Sequence, residues 1–394
     1  MADEALKSPK AGIRPGVVHV TSQEVPQSAV ASQWRLMWWK FRRHRLAMIS
    51  AVVVLTLYTM ALFAGFFAPQ ARSTYDRRYT QSPPQTIHWF DDGEFGPYVY
   101  GFKQETDPRT LQRHYTVDKE NKIPLSFFVS GDPYSVGFSG MPVEWLNIFH
   151  FRANVHLFGP KHHGDPFYLF GADDLGRDVW SRTIFASQVS LSVGLVGVFL
   201  SLGLGIVLGG LSGLIGGWVD NLIQRLIELL RSIPDIPLWM AMATAVPPRW
   251  DPILVYFGIT VILSLLGWTV MARVVRGRFL ALREEDFILA AELDGVPRHR
   301  IILKHMVPSF LSHIIASVTL SIPGMILGET ALSFLGLGLQ PPVVSWGVML
   351  QKAQSIRVIS TMPWMLLPGA AVSITVLVFN FLGDGLRDAA DPYH

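Results

Sequence analysis

Cysteine is absent from all 394 residues, which excludes disulfides, thiol catalysis and cysteine-based metal sites. Charge is scarce: 16% of residues are charged and the formal net charge is only +3, so nothing points to nucleic acid. No G-x-x-x-x-G-K-[ST] stretch occurs, nor any Gly-Lys pair. The chain therefore lacks a Walker loop, and any ATP hydrolysis must come from another protein. No Ser-His-Asp or metal constellation is placed for catalysis. His162, His163 and Asp165 have no further ligands at helical or hairpin spacing, and read as a surface turn. Acids are rare in the apolar stretches. His313 and Glu329 are ionisable groups at or near span depth, too few for a proton relay.

What is abundant is hydrophobicity: half of all residues, with a mean hydropathy of +0.32. Runs near 46–68, 189–215, 226–246, 253–272, 309–330 and 363–383 are each long enough to cross about 30 Å of hydrocarbon as a helix. They are too long and uniform for barrel strands. An all-α polytopic membrane protein with six transmembrane helices is expected. The run after the polar first 33 residues is about 23 residues long, more than a signal peptide needs, and reads as an uncleaved first span.

Arg35, Lys40, Arg42, Arg43 and Arg45 precede that span without an acid among them, which places the N-terminus in the cytoplasm. Arg273, Arg276, Arg278, Arg283, Arg298, Arg300 and Lys304 place a second loop on the same side. Six spans satisfy both and leave both termini inside. The chain divides into a disordered cytoplasmic tail (1–33), an interfacial segment with the first helix (34–68), an extracytoplasmic insert (69–172) and a core (173–394) carrying the cytoplasmic loop 273–308. The insert holds ten of the 26 prolines and half of the histidines. Its aromatics argue for a folded unit, and its Pro and Gly for turns and short strands such as 123–129.

Residues 284–308 are the most informative stretch. Glu284, Glu285 and Asp286 suit the positive end of a helix, along which Phe287, Ala290 and Ala291 recur at i, i+3, i+4. Two alanines on one face make a flat surface for a partner. Gly295 after Asp294 permits positive φ, and Pro297 suits the first turn of a second helix reaching His305. A hairpin lying on lipid is the plainer alternative. Gly205, Gly209, Gly213 and Gly217, four apart, suggest the close approach of another helix, in this chain or in a partner. Arg225, Glu228, Arg231 and Asp235 belong near the membrane surface, and Pro234 gives either a gating kink or an ordinary helix end.

Ala290-Ala291, Gly295 and His305-x-x-Pro308 resemble the EAA motif of ABC-importer permeases, with Leu289 where the motif has Glu and Val307-Pro308 where it has Leu-Pro. Gly171-Ala172-Asp173-Asp174-Leu175-Gly176-Arg177-Asp178 is similar to the G-T-D-x-x-G-R-D signature of the peptide, oligopeptide and nickel branch. So are the segments from Glu329 to Gly338, Pro341 to Gly347 and Gly383 to Asp388. The large insert resembles the microcin C and longer-peptide subgroup.

This resemblance implies the type I ABC-importer permease fold in a bacterial inner membrane. It implies a second homologous permease, two ATP-binding subunits and a periplasmic substrate-binding protein as partners. ATP and Mg would lie on those partners and no cofactor on this chain. Glu285, Phe287, Ala290, Ala291, Gly295, His305 and Pro308 would meet the ATPase subunit. Gly205, Gly209, Gly213 and Pro234 would serve packing and gating. The rivals are a proton-coupled secondary peptide carrier and a membrane-anchored enzyme.

Overall fold

The computed structural model describes residues 33–91, 93–106, 108–109, 113–137, 152–247 and 249–390. The expected disordered tail lies outside them except for Gln33, which opens α1 (Gln33–Arg43). Among the described residues, five helices are long and apolar enough to cross a membrane. They are α2 (Arg45–Leu62), α4 (Val179–Ile215), α7 (Pro252–Leu282), α11 (Leu311–Phe334) and α14 (Leu367–Ala390), the last entered through a 3₁₀ turn at Pro363–Leu366. The short α3 (Ala64–Phe67) follows α2.

The sixth expected span, near 226–246, is not one helix. It divides into α5 (Gly217–Arg231) and α6 (Asp235–Ala243), neither of them long enough alone. The physical reason is local. Pro234 lacks an N–H and takes ψ 139°, so α5 stops at Arg231 and α6 restarts after the proline. Arg225 and Glu228 pair at 2.7 Å on the exposed face of α5.

Contacts between α4 and α7 advance together along both helices. Ser192 meets Tyr256, Ser201 meets Ser264, Gly205 meets Met271 and Gly213 meets Phe279. The two helices therefore run parallel, and the 216–251 connection must carry the chain back along their length. At about 1.5 Å per residue, the 15 and nine residues of α5 and α6 suffice for that return. α11 runs antiparallel to α4, with Ser190 beside Glu329 and Gly197 beside Met325. α14 runs antiparallel to α2, with Tyr58 against Phe379 and Gly385 against Ala47.

Among the described residues, the insert holds a four-stranded antiparallel sheet in the order β1 (His88–Asp91), β2 (Glu94–Thr106), β3 (Arg113–Ser135) and β4 (Arg152–Pro160). The strands are not short: β2 has 13 residues and β3 has 23. β3 pairs first with β2 and then, from Leu125, with β4. Gly101 and Gly131, read from sequence as punctuation, lie at register shifts in these ladders, where a strand bends without ending. Val99, Ile123, Leu125 and Phe167 form a small core beneath the sheet. His156 Nδ1 meets the Ala68 carbonyl at 2.6 Å, and Gln188 Nε2 donates to the Ala61 and Gly137 carbonyls at 2.8 Å, tying the sheet to the spans.

Beyond α7 lie α8 (Asp286–Leu293), α9 (Arg298–Arg300), a π-helical turn (Ile301–Met306) and α10 (Val307–Ser309). Between α11 and α14 lie α12 (Trp346–Lys352) and α13 (Ile356–Thr361).

Candidate functional site

The 284–308 hairpin starts at Glu285, whose extended backbone precedes α8 and whose side chain makes no cap bond. α8 ends in a Schellman closure: Val296 N donates to the Ala291 carbonyl at 3.1 Å, and Gly295 N to the Glu292 carbonyl at 3.0 Å. Gly295 takes φ +73° with open space where a Cβ would be, so its backbone conformation rather than crowding selects glycine. The chain then winds through Pro297 into the π turn, which carries a half-buried His305, while Pro308 is exposed in α10.

The expected alanine face is not a single surface. Ala291 is buried with Ile288 against Phe279, Ile301, Ile302 and Met306, whereas Ala290 is exposed. Ile288 is the anchor that sequence reasoning missed, although its i, i+3 spacing to Ala291 was visible. α8 turns Phe287, Leu289, Ala290 and Leu293 outward, the last 89% exposed, together with the acids Asp286, Glu292 and Asp294. A helix anchored by one small seam and showing leucines to solvent has the character of an interaction surface.

Gly205, Gly209 and Gly213 come together on α7 of the same chain. A methyl on Gly209 would sit 2.5 Å from the Ala272 carbonyl oxygen, and one on Gly205 2.6 Å from Met271 Cβ. Gly217 is outside this seam; it opens α5 at φ +57°. At the hairpin end of the seam, Arg276 donates twice to Asp220 at 2.5 Å, and Ser212 Oγ donates to the same carboxylate, joining α4, α5 and α7. Pro234 borders a different region, where Asp235, Trp239, Gly267 and Gly324 line a cavity between α5–α6, α7 and α11.

At the insert end, Glu329 is fully buried. Its Oε1 accepts from Ser345 at 2.7 Å and Ser333 at 2.9 Å, and its Oε2 from Ser190 at 3.1 Å. Ser190 Oγ also accepts from Trp346 N, whose indole donates to the Thr183 carbonyl at 3.0 Å. One carboxylate thus gathers α4, α11 and the start of α12. Only Ser333, four residues after Glu329 on one helix, was signalled by spacing. His313 lies at the other end of α11, 2.6 Å from Arg278, so the two ionisable groups do not face each other.

The 171–178 signature forms a tight turn against the insert. Asp173 is buried and accepts from Leu175 N, Arg177 N and the Arg177 guanidinium. Burial pushes its carboxyl up, but the bonds from Arg177 outweigh that and hold it below the usual range. Asp178 caps α4, accepting from Ser181 N at 2.8 Å. No cation lies against it, and burial pushes its carboxyl up to about 6. His163 stands 3.7 Å from Asp132, and no group of three metal-ligating side chains occurs among the described residues.

Comparison with known proteins assigns this arrangement. Residues 205–393 match the binding-protein-dependent transport system inner membrane component, and residues 32–84 match the N-terminal TM domain of oligopeptide transport permease C. The oligopeptide transport system permease protein OppC of Haemophilus influenzae is 36% identical over 269 residues, covering 68% of this chain and 81% of that protein. The chain belongs to the binding-protein-dependent transport permeases. OppC of Bacillus subtilis aligns with the permease at 26% identity over 98% of this chain and 97% of its own, so that relative matches through the insert as well. The dipeptide permease DppC of the same organism is 38% identical over 57% of this chain and 68% of that protein. A structure of the inward-facing MetNI methionine ABC transporter aligns over 54% of the chain at 19% identity and a TM-score of 0.41, too loose to argue from. The permease is a multi-pass inner membrane protein, resting on the family and the five apolar helices.

Proposed function

We propose that this permease is the transmembrane subunit of an ATP-driven importer of peptides or peptide-like solutes. It has no ATP site of its own. It works with a second related permease, two ATP-binding subunits that carry ATP and Mg, and an extracytoplasmic binding protein. The relatives named for oligopeptide and dipeptide transport support the solute class. Both termini lie in the cytoplasm, and the chain crosses six times, with α5–α6 as a broken third passage; the parallel run of α4 and α7 supports this.

The observation that carries the reading is the exposed Phe287, Leu289 and Leu293 of α8, set among acids and followed by the Schellman turn at Gly295. The nucleotide-binding dimer closes on ATP and displaces this hairpin. The hairpin is seated on Phe279 of α7 and on the π turn leading to α11, so its displacement tilts both spans. Alternating access follows if ATP binds one arrangement of the spans better than the other. Leu293→Glu puts a charge on the outward face without touching the buried seam. In the purified complex it is expected to abolish stimulation of ATP hydrolysis by the loaded binding protein, with ATPase subunits recovered in reduced amount. Unchanged stimulation refutes the assignment, and solute movement by the chain alone in vesicles without an ATPase favours the proton-coupled carrier.

A further inference from the structure

Between the insert and the core, at the end of the bundle that holds Glu329, lies a cleft of about 1000 Å³. Its lining is rich in cations. Arg72 and Arg77 come from the loop after α3, Arg113 from β3, Arg177 and Arg182 from the signature and α4, and Lys352 from α12. The lining residues include two carboxylates, Asp173 and Asp174. Lys352 takes Asp174 at 2.7 Å. Asp173 is shared: Arg177 holds it at 2.6 Å, and Arg182 reaches the same oxygen only at 3.8 Å. Arg182 is 7% exposed, and its other contact is the Arg72 carbonyl at 3.2 Å, a dipole rather than a charge. Arg113 likewise donates to the Arg77 carbonyl at 2.9 Å. Burying a guanidinium without a carboxylate of its own is costly, and the cations of the lining outnumber its acids.

The same lining holds an apolar group, Pro341, Pro342, Val343, Val344 and Met349. A recess of this size, lined by both cations and apolar side chains, suits a small amphiphile. We infer that the cleft receives the carboxylate end of a peptide, its anion against Arg77, Arg113 and Arg182 and its terminal side chain against the Pro341–Val344 group. The bound anion supplies the charge that Asp173 cannot supply to two arginines at once. This inference deepens the peptide-importer reading and rests on it.

The test uses the assembled complex in phosphatidylcholine nanodiscs and an N-acetylated tetrapeptide ending in phenylalanine, as the free acid and as the amide. Calorimetry is expected to show the acid binding about tenfold more tightly, as a charge-assisted bond warrants. Arg77→Gln with Arg113→Gln is expected to remove that difference and leave the amide affinity unchanged. Both side chains are exposed, and a melting curve checks that the variant folds. Equal affinity for acid and amide, or a difference that persists in the variant, overturns the inference. So does a cleft that responds only to phosphatidylglycerol in the nanodisc, which assigns it to lipid phosphate. A variant that loses only docking of the binding protein overturns it too. If ATPase subunits co-purify while acid and amide bind alike, the cleft inference alone fails; if no ATPase subunit co-purifies, the permease reading fails first.

Discussion

The two ends of the helical bundle hold their outermost parts differently. At the insert end, buried polar groups do the joining: Glu329 with three serines, Asp173 with two arginines and Asp178 capping α4. At the hairpin end, Arg276 and Ser212 still join on Asp220, but α8 itself is seated by Ile288 and Ala291 in an apolar cluster. Directional bonds specify one arrangement, because leaving any member unpaired in a low dielectric costs the full desolvation of that group. An apolar seam is less particular and tolerates small shifts. The contrast teaches where this permease is stiff and where it can yield.

The glycine seam between the ends offers the strongest way to break this picture. Gly209→Leu drives a side chain into the Ala272 backbone, where even a Cβ would be 2.5 Å from the carbonyl oxygen. It is expected to cost about 3 kcal/mol or abolish folding, seen as a lost monodisperse peak in detergent. An unchanged melting temperature would mean that α4 and α7 are not in contact.

Glu329→Leu leaves Ser190, Ser333 and Ser345 without their common acceptor. The expected loss is about 2 kcal/mol, read as a lower melting temperature. Glu329→Gln, which keeps an acceptor oxygen, should lose less.

Asp178 sharpens the comparison through pH. Its carboxyl is raised in the fold from 3.8 to about 6, so the stability it contributes is full below 3.8 and is lost as pH rises through about 6. Asp173 has the opposite sign: its carboxyl is held low, and its contribution is present at neutral pH and lost on acidification. Asp178→Asn keeps a capping oxygen but adds an amide that needs a partner. A net gain of about 1 kcal/mol at pH 7 is expected, with a flatter melting profile between pH 4 and 6. An unaltered profile would show that Asp178 is not buried as described.

Leu293→Glu, at the yielding end, should cost the least stability, less than about 0.5 kcal/mol and so the smallest shift in melting temperature, because its side chain faces out. A large loss would show that α8 is bound to the bundle by its outer face.

Much of this was legible. Hydropathy located five spans, since a membrane helix must be apolar along its whole length. Asp294-Gly295 read as a helix stop because positive φ selects glycine. Pro234 was read as a kink or a helix end, yet the hydropathy of the wider 226–246 stretch still made one span of what are two helices. The long strands were hidden for the converse reason: Gly101 and Gly131 look like ends, and only pairing shows that they are bends. Glu329 was noticed as a lone acid. Its partners come from positions 190, 333 and 345, and no local pattern announces a meeting of such distant residues. Ala291 was placed outward with Ala290 because spacing gives a face but not which way it turns.

The parallel α4–α7 pair has a mechanical corollary. Helices whose backbones touch cannot slide or splay independently, so the pair behaves as a single rod, about 30 Å from Tyr256 to Arg276. One tip leans on the Ile302 turn and the other on the shell around Trp346. A tilt begun at the first tip arrives at the second with little lost to bending, and the broken α5–α6 return, jointed at its proline, can fold out of the way.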